Sequence, residues 1–180
     1  MNQSKISVRY AKALFEYASE KGVLEVVIAD AKMLFASLDE VAELSEFFKN
    51  PIVKPSQKQQ FVSALLGKKV SKEMVNFLQL LITNGREMFI QDILRNVLDI
   101  YRKNKGITAV TLTSATPLSK KQEQAIVDFV KKKENKDVEL QTKIDTSLQG
   151  GFVLRIEDMQ YDASISTRLK QIKKELIANK

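Results

Sequence analysis

The chain has no cysteine, no histidine and no tryptophan, and only 3 prolines and 6 glycines in 180 residues. Without cysteine or histidine there are no disulfides, no zinc or haem ligands of those types, no thiol nucleophile and no Ser-His-Asp triad. An enzyme would be left with carboxylate, Lys, Tyr or backbone chemistry. Apolar runs are far shorter than the roughly 20 residues of a membrane-spanning helix, so no direct membrane insertion is expected. The N-terminal stretch interleaves Lys5, Arg9, Lys12, Glu16, Glu20 and Lys21 with apolar residues. A signal peptide needs an uninterrupted apolar segment, and Asn2 excludes a myristoylation site. The expectation is a soluble chain that is not exported.

What is present is an ordinary globular balance, 44% hydrophobic and 28% charged, in a length that suits one domain or two small ones. The net charge of +7 is spread evenly, with 16 basic against 12 acidic side chains in residues 1–105 and 13 against 10 thereafter. Nucleic-acid binders concentrate basic charge on one stripe, so no nucleic-acid partner is expected.

Two hydrophobic periods divide the chain. Up to residue 105 the apolar spacing is helical. Helices are expected from Ser4 to about Lys21 (Gly22 just past the end), from Val23 to Leu38, and from Glu40 to Phe48, stopping at Asn50-Pro51. Three more follow: Pro55 to Leu66 ending at Gly67, Ser71 to Asn84 ending at Gly85, and Glu87 to Lys103 before Gly106. Pro near a helix start, Ser at a cap and Gly past an end are the positional signals used. Seven of the 9 Phe lie in this part, enough for a core of its own.

After Gly106 the pattern alternates. Ile107 to Ala115 reads as a strand, and Ser119 with Gln122 makes a capping box for a helix to about Lys133. Strands follow at Val138–Ile144, Phe152–Ile156 and near Tyr161, then a helix from about Ser164 to Ala178. The expected fold class is α+β with two domains, a six-helix bundle over 1–105 and a small α/β domain over 106–180.

Helix faces carry the functional signal. In the second helix Leu24, Val27, Ile28, Leu34, Phe35 and Leu38 fit an arc of about 120°, ordinary one-sided burial. In the first, Ile6, Tyr10, Ala13, Leu14 and Tyr17 on one side and Val8, Ala11, Phe15 and Ala18 on the other cover about 220°. Met74, Val75, Phe77, Leu78, Leu80, Leu81 and Ile82 cover about as much of the fifth. Either both helices are buried all round, or they share a groove for an amphipathic partner helix. The groove reading sets Tyr10, Leu14 and Tyr17 opposite Phe77, Leu78 and Leu81. Residues 23–46 are acidic apart from Lys32, whereas 49–72 hold six Lys and no acid. Two solvated helix faces attracting each other account for that split.

Several patterns fail as chemistry. Gly150-Gly151 opens a strand, whereas a phosphate loop would continue with Gly-Lys-Ser/Thr into a helix. Glu157, Asp158 and Asp162 lack the glycine and closing Glu of a calcium loop and read as turn and cap residues. Lys131, Lys132, Lys133 and Lys136 sit beside Glu134 and Asp137 without interleaved aromatics, as at a solvated helix end. No catalytic residues, metal ligands or cofactors are assigned.

Four strings then stand in order. They are Arg9-Tyr10-Ala11-Lys12-Ala13-Leu14-Phe15, Asn84-Gly85-Arg86, Thr113-Ser114-Ala115 with Pro117-Leu118-Ser119, and Ser147 to Ile156 running on to Asp162-Ala163-Ser164. Together they resemble the delta subunit family of bacterial F-type ATP synthases, related to the mitochondrial oligomycin-sensitivity-conferring protein, over essentially the whole chain. The resemblance makes Asn84, Gly85, Arg86, Gly150, Gly151 and Asp162 family motif positions. This chain departs from the pattern at Glu157, where the family often has Gly, and at Ser166 and Thr167, where it often has Arg and a small residue.

The resemblance implies a non-catalytic stator, one member of a large hetero-oligomer. Its helical domain would hold N-terminal helices of the alpha subunits in a groove between the first and fifth helices. Its C-terminal domain would meet the C-terminal region of the b subunits. The place implied is peripheral, on the cytoplasmic face of a bacterial cytoplasmic membrane. Two other classes compete with it: a nucleic-acid-binding module, which would show steeply salt-dependent binding, and an enzyme, which would need a pocket of perturbed ionisable groups.

Overall fold

Ser71 shows how local chemistry starts a helix in this chain. Its hydroxyl accepts the Met74 N–H at 3.3 Å, satisfying one of the free donors at the start of Lys72–Thr83. In the computed structural model, which describes residues 5–66, 69–134, 136–156, 159–169 and 171, the chain forms two units, Met1–Tyr101 and Arg102–Lys180. The expected cap at Ser4 and helix end at Gly67 lie outside the described residues, as do Glu157 and Asp158.

The N-terminal unit holds α1 (Lys5–Glu20), α2 (Leu24–Glu40), α3 (Ala42–Lys49), α4 (Pro55–Phe61), α5 (Lys72–Thr83) and most of α6 (Ile90–Lys105). The fourth helix does not run regularly to Leu66 as expected. It passes at Val62 into a π-helical stretch, Val62–Leu66. Ser63 Oγ donates to the Gln59 carbonyl at 2.9 Å, so a side chain occupies an acceptor of the regular α-helical ladder. The sixth helix is likewise preceded by a 3₁₀ turn, Glu87–Phe89.

The core draws on Leu14 from α1, Val27 and Leu34 from α2, Phe48 from α3, Met74, Leu78 and Leu81 from α5, and Ile93 and Val97 from α6. Val62 of the π turn joins it, and Phe61 of α4 packs against it partly buried. Phe48 and Phe61 meet edge to face, with Phe47 against both. α1 and α5 both pack on α2, and α5 also packs on α4 and the π turn.

The C-terminal unit is a mixed four-stranded sheet with one crossover helix. β1 (Ile107–Ser114), α7 (Lys120–Glu134), β2 (Asp137–Ile144), β3 (Phe152–Ile156) and β4 (Met159–Asp162) order as β2-β1-β3-β4. β1 and β2 are parallel, joined through α7, and the other pairs are antiparallel. The Ser119–Gln122 capping box forms, with Ser119 N–H donating to Gln122 Oε1 at 2.9 Å. Residues 165–169 are helical, and the expected continuation to Ala178 lies outside the described residues. Val110, Leu112, Val130, Leu154 and Ile156 form a core much thinner than that of the first unit.

Candidate functional site

Helix α1 has a buried face flanked by apolar residues on both sides, Val8 (38% exposed) and the partly buried Phe15 on one of them. Ser7, Ala11, Leu14 and Ala18 point into the core. Beside them Ile6 and Tyr10 are partly buried, Ala13 is exposed, and Tyr17 is 45% exposed. This second flank keeps helical spacing and is exposed at Ala13 and Tyr17.

The residues expected to form the groove fall into two groups. Leu14, Phe77, Leu78 and Leu81 are buried in the core of the free chain, whereas Tyr10 and Tyr17 reach its surface. On α5 the exposed apolar residue is Leu80, at 50%. Sequence reasoning placed Leu80 within the apolar arc but did not single it out.

Leu80 stands at the edge of an open cleft of about 890 Å³ between α4 with its π turn and α5. Gln59, Ser63, Asn76, Gln79 and Thr83 line it. Gln59 Nε2 donates to Thr83 Oγ1 at 3.1 Å, and Gln79 Nε2 to Ser63 Oγ at 2.9 Å. Its polar lining is amide and hydroxyl, groups suited to hold a polar side chain and not to move a proton at neutral pH.

The motif positions have structural explanations. Asn84 caps α5, and Gly85 follows at φ +62°, a left-handed value at which a side chain is strained. Gly85 N–H bonds to Ile82 O and Arg86 N–H to Leu81 O, at 3.0 and 2.8 Å, the paired bonds of a Schellman C-cap. Gly151 is needed for space, and Gly150 for its backbone conformation, at φ +151°. A Cβ on Gly151 would fall 2.3 Å from the Ala163 carbonyl oxygen, and one on Gly150 would fall 2.6 Å from Ile165 Cδ1. The segment after β4 is thus laid against the start of β3, and Asp162 pins it: Oδ1 accepts Ser164 N–H at 2.9 Å and Oδ2 accepts Thr167 Oγ1–H at 2.8 Å.

Charge is handled structurally as well. Lys58, one of the six Lys of residues 49–72, is buried and pairs with Glu87, not with the acids of residues 23–46. Asp145 accepts hydrogen bonds from the Ser147 hydroxyl and backbone N–H, which hold its carboxyl below the usual value. Among the described residues no group of acidic side chains is arranged to hold a metal ion.

Comparison with known proteins fits this picture. Residues 6–176 match the family model for the ATP synthase delta (OSCP) subunit. The chain belongs to that family. It is 36% identical to ATP synthase subunit delta of Phocaeicola vulgatus over 174 residues, covering 96% of this chain and 94% of that one. The delta subunit of Salinibacter ruber is 36% identical over 169 residues, covering 94% and 89%. A chain of the Toxoplasma gondii mitochondrial ATP synthase hexamer, known from cryo-EM, superposes with a TM-score of 0.72 at 28% identity, over 97% of this chain and 98% of that one.

As a member of the delta/OSCP family the chain is a non-catalytic stator component of the F-type ATP synthase, part of a membrane-associated hetero-oligomer. Among the described residues no helix is long and apolar enough to cross a membrane. In this chain Asn84-Gly85-Arg86 and Gly150-Gly151 are backbone devices, with φ +62° at Gly85 and a close chain approach at Gly151.

Proposed function

We propose that this delta-family protein ties the catalytic head to the peripheral stalk through two separate attachments. The N-terminal unit, read as a six-helix bundle over 1–105, takes N-terminal helices of the alpha subunits on its α1–α5 side. The C-terminal unit, 106–180, takes the C-terminal region of the b subunits. The protein then sits on the cytoplasmic face of the bacterial membrane without entering the bilayer.

The observation that carries the first attachment is the stripe of Ile6, Tyr10, Ala13 and Tyr17 beside the buried face, in which Ala13 and Tyr17 are exposed and Ile6 and Tyr10 only partly buried. An amphipathic helix laid along it would bury Tyr10 and Tyr17. Leu14, Phe77, Leu78 and Leu81 are buried in the core on which these contacts would rest. Aromatic side chains in such positions are typical anchors. The second attachment draws on the exposed Phe152 and Met159 of β3 and β4, apolar surface that the thin core leaves uncovered.

Two linked attachments give avidity, because release of one leaves the other holding the ends close. Such a tie resists rotation of the head without turnover. The test is reconstitution of head and membrane sector with and without this protein. Coupled ion pumping should depend on it, while hydrolysis by the free head stays nearly unchanged. Equal pumping in both preparations would overturn the reading.

A further inference from the structure

The dipeptide Asn84-Gly85 carries covalent chemistry as well as a helix end. Of the eight asparagines in the chain, Asn84 alone is followed by glycine. Glycine has no Cβ to shield its own backbone nitrogen, so that nitrogen can reach the side-chain amide before it. Gly85 N then loses its proton and bonds to Asn84 Cγ, the Cγ–Nδ2 bond breaks, and ammonia leaves with the proton. Water adds to either carbonyl of the five-membered imide so formed. The asparagine becomes aspartate or isoaspartate, with water as the one co-reactant and no change of oxidation level.

Water and space are both at hand. Asn84, Gly85 and Arg86 are exposed, and a Cβ on Gly85 would meet nothing within 4 Å among the described residues. Backbone conformation is what holds the reaction off. Asn84 has φ −87° and ψ 2°. Ring closure needs Gly85 N eclipsed with Asn84 Cβ about the Cα–C bond. At this ψ it is eclipsed with Asn84 N instead, about a third of a turn away around a tetrahedral Cα. The closed cap stops ψ from turning, because Gly85 N–H donates to Ile82 O at 3.0 Å and Arg86 N–H to Leu81 O at 2.8 Å. The first of these bonds also engages the proton that must be lost. Leu81 and Ile82 are buried, which fixes the acceptors, whereas Thr83 to Arg86 are exposed. Exposed helix ends are the parts that open at least cost in free energy.

We propose that Asn84 is a deamidation site gated by the C-cap of α5, spared while the cap is closed and modified when the end of the helix opens. The change runs one way. Either product adds a negative charge at the C-terminal end of α5, where the helix dipole disfavours it. Isoaspartate also lengthens the backbone by one methylene, so the two cap bonds no longer close in register. A transient opening becomes a lasting loosening of this helix end, beside the cleft that Leu80 and Thr83 line.

The test incubates the full chain at mildly alkaline pH, folded in buffer and unfolded in guanidinium chloride. Mass spectrometry of the tryptic peptide that starts at Glu73 reads the replacement of NH2 by OH at Asn84, with Asn76 in the same peptide as the comparison. The folded chain should deamidate at Asn84 at least about tenfold more slowly than the unfolded one, the equivalent of about 1.4 kcal/mol of opening free energy. Arg86→Pro removes the N–H given to Leu81 O and keeps Asn84-Gly85, so it should narrow the gap between folded and unfolded rates. Should Arg86→Pro fail to fold, the wild type in guanidinium chloride below its unfolding transition gives the same reading: deamidation at Asn84 should rise in step with hydrogen exchange at the Gly85 amide. Equal folded and unfolded rates in the wild type would overturn the proposal. So would an unchanged ratio in a folded Arg86→Pro, or a rate at Asn84 that stays flat while the Gly85 amide exchanges faster.

Discussion

Lys58 Nζ lies 2.9 Å from Glu87 Oε1 inside the N-terminal unit and donates also to the Phe48 carbonyl at 2.8 Å. One buried ammonium thereby joins α4, the end of α3 and the turn before α6. Removing one partner of such a pair leaves a charge without compensation, which costs several kcal/mol. Glu87→Ala should therefore destabilise the unit by about 3 kcal/mol, read from urea unfolding. Replacing both partners by apolar residues should cost less than the single change, since neither charge is then left buried alone. A single variant within about 0.5 kcal/mol of wild type, as is usual for surface changes, would contradict this.

Asp30 on α2 accepts Ser71 N–H at 2.7 Å, and Ser71 in turn caps α5 through Met74 N–H. The carboxylate also faces the positive end of the α5 dipole. Asp30→Ala and Ser71→Ala should each cost about 1–2 kcal/mol. Because they act on the same helix end, the double variant should cost less than the sum. Strict additivity in a double-mutant cycle would show that the two bonds are independent.

The groove residues should separate by burial. Tyr17→Ala alters a side chain at the surface and should lower alpha-peptide affinity by about 2 kcal/mol with little change in the melting curve. Leu78→Ala opens a cavity in the core and should cost about 2–5 kcal/mol of stability. Titration calorimetry together with thermal unfolding would distinguish them, and unchanged peptide affinity in both Tyr10→Ala and Tyr17→Ala would reject the groove.

Residues 1–105, cut so that α6 is kept whole, should fold alone, melt cooperatively and bind the alpha peptide. The N-terminal core cluster lies entirely within them. The fragment should not bind the stalk peptide. Calorimetry of the fragment, with circular dichroism for helix content, checks the division of labour.

Asp145 gives the pH prediction. Its folded carboxyl is held below 3.8, first by the Ser147 hydroxyl and then by the Ser147 N–H. A depressed folded value means that this contribution to stability is complete above the unfolded value and is lost as the pH falls through the folded one. The effect lies on the acid side of about pH 4 and is absent near neutrality. NMR titration should show the Asp145 carboxyl titrating below the ordinary range, and Ser147→Ala should move it back upward.

Much of the secondary structure was legible in the sequence because its signals are local. A cap such as Ser71 acts three residues away, the Schellman bonds at Gly85 and Arg86 reach back three and five, and the alternation in β1 has a period of two. Each interaction lies within a few positions of the residue that reveals it. The π turn at Val62–Leu66 was less legible, since a serine in a helix bonds its own backbone only where the surroundings favour it.

Burial and partnership were decided by the tertiary structure. The wide apolar arcs of α1 and α5 were visible as patterns, but only the packing of neighbouring helices separates Leu14 and Leu78, which are buried, from Tyr17 and Leu80, which are not. Lys58 read as one of six surface cations until the fold brought it to Glu87, 29 positions away. Gly151 and Asp162 read as turn residues, and what they do together depends on the chain at Ala163 running antiparallel beside the start of β3. A residue's own chemistry and spacing set what it is able to do locally. Whether it is covered, paired or left for a partner depends on which distant segment arrives beside it, and that is set by the packing of whole helices and strands.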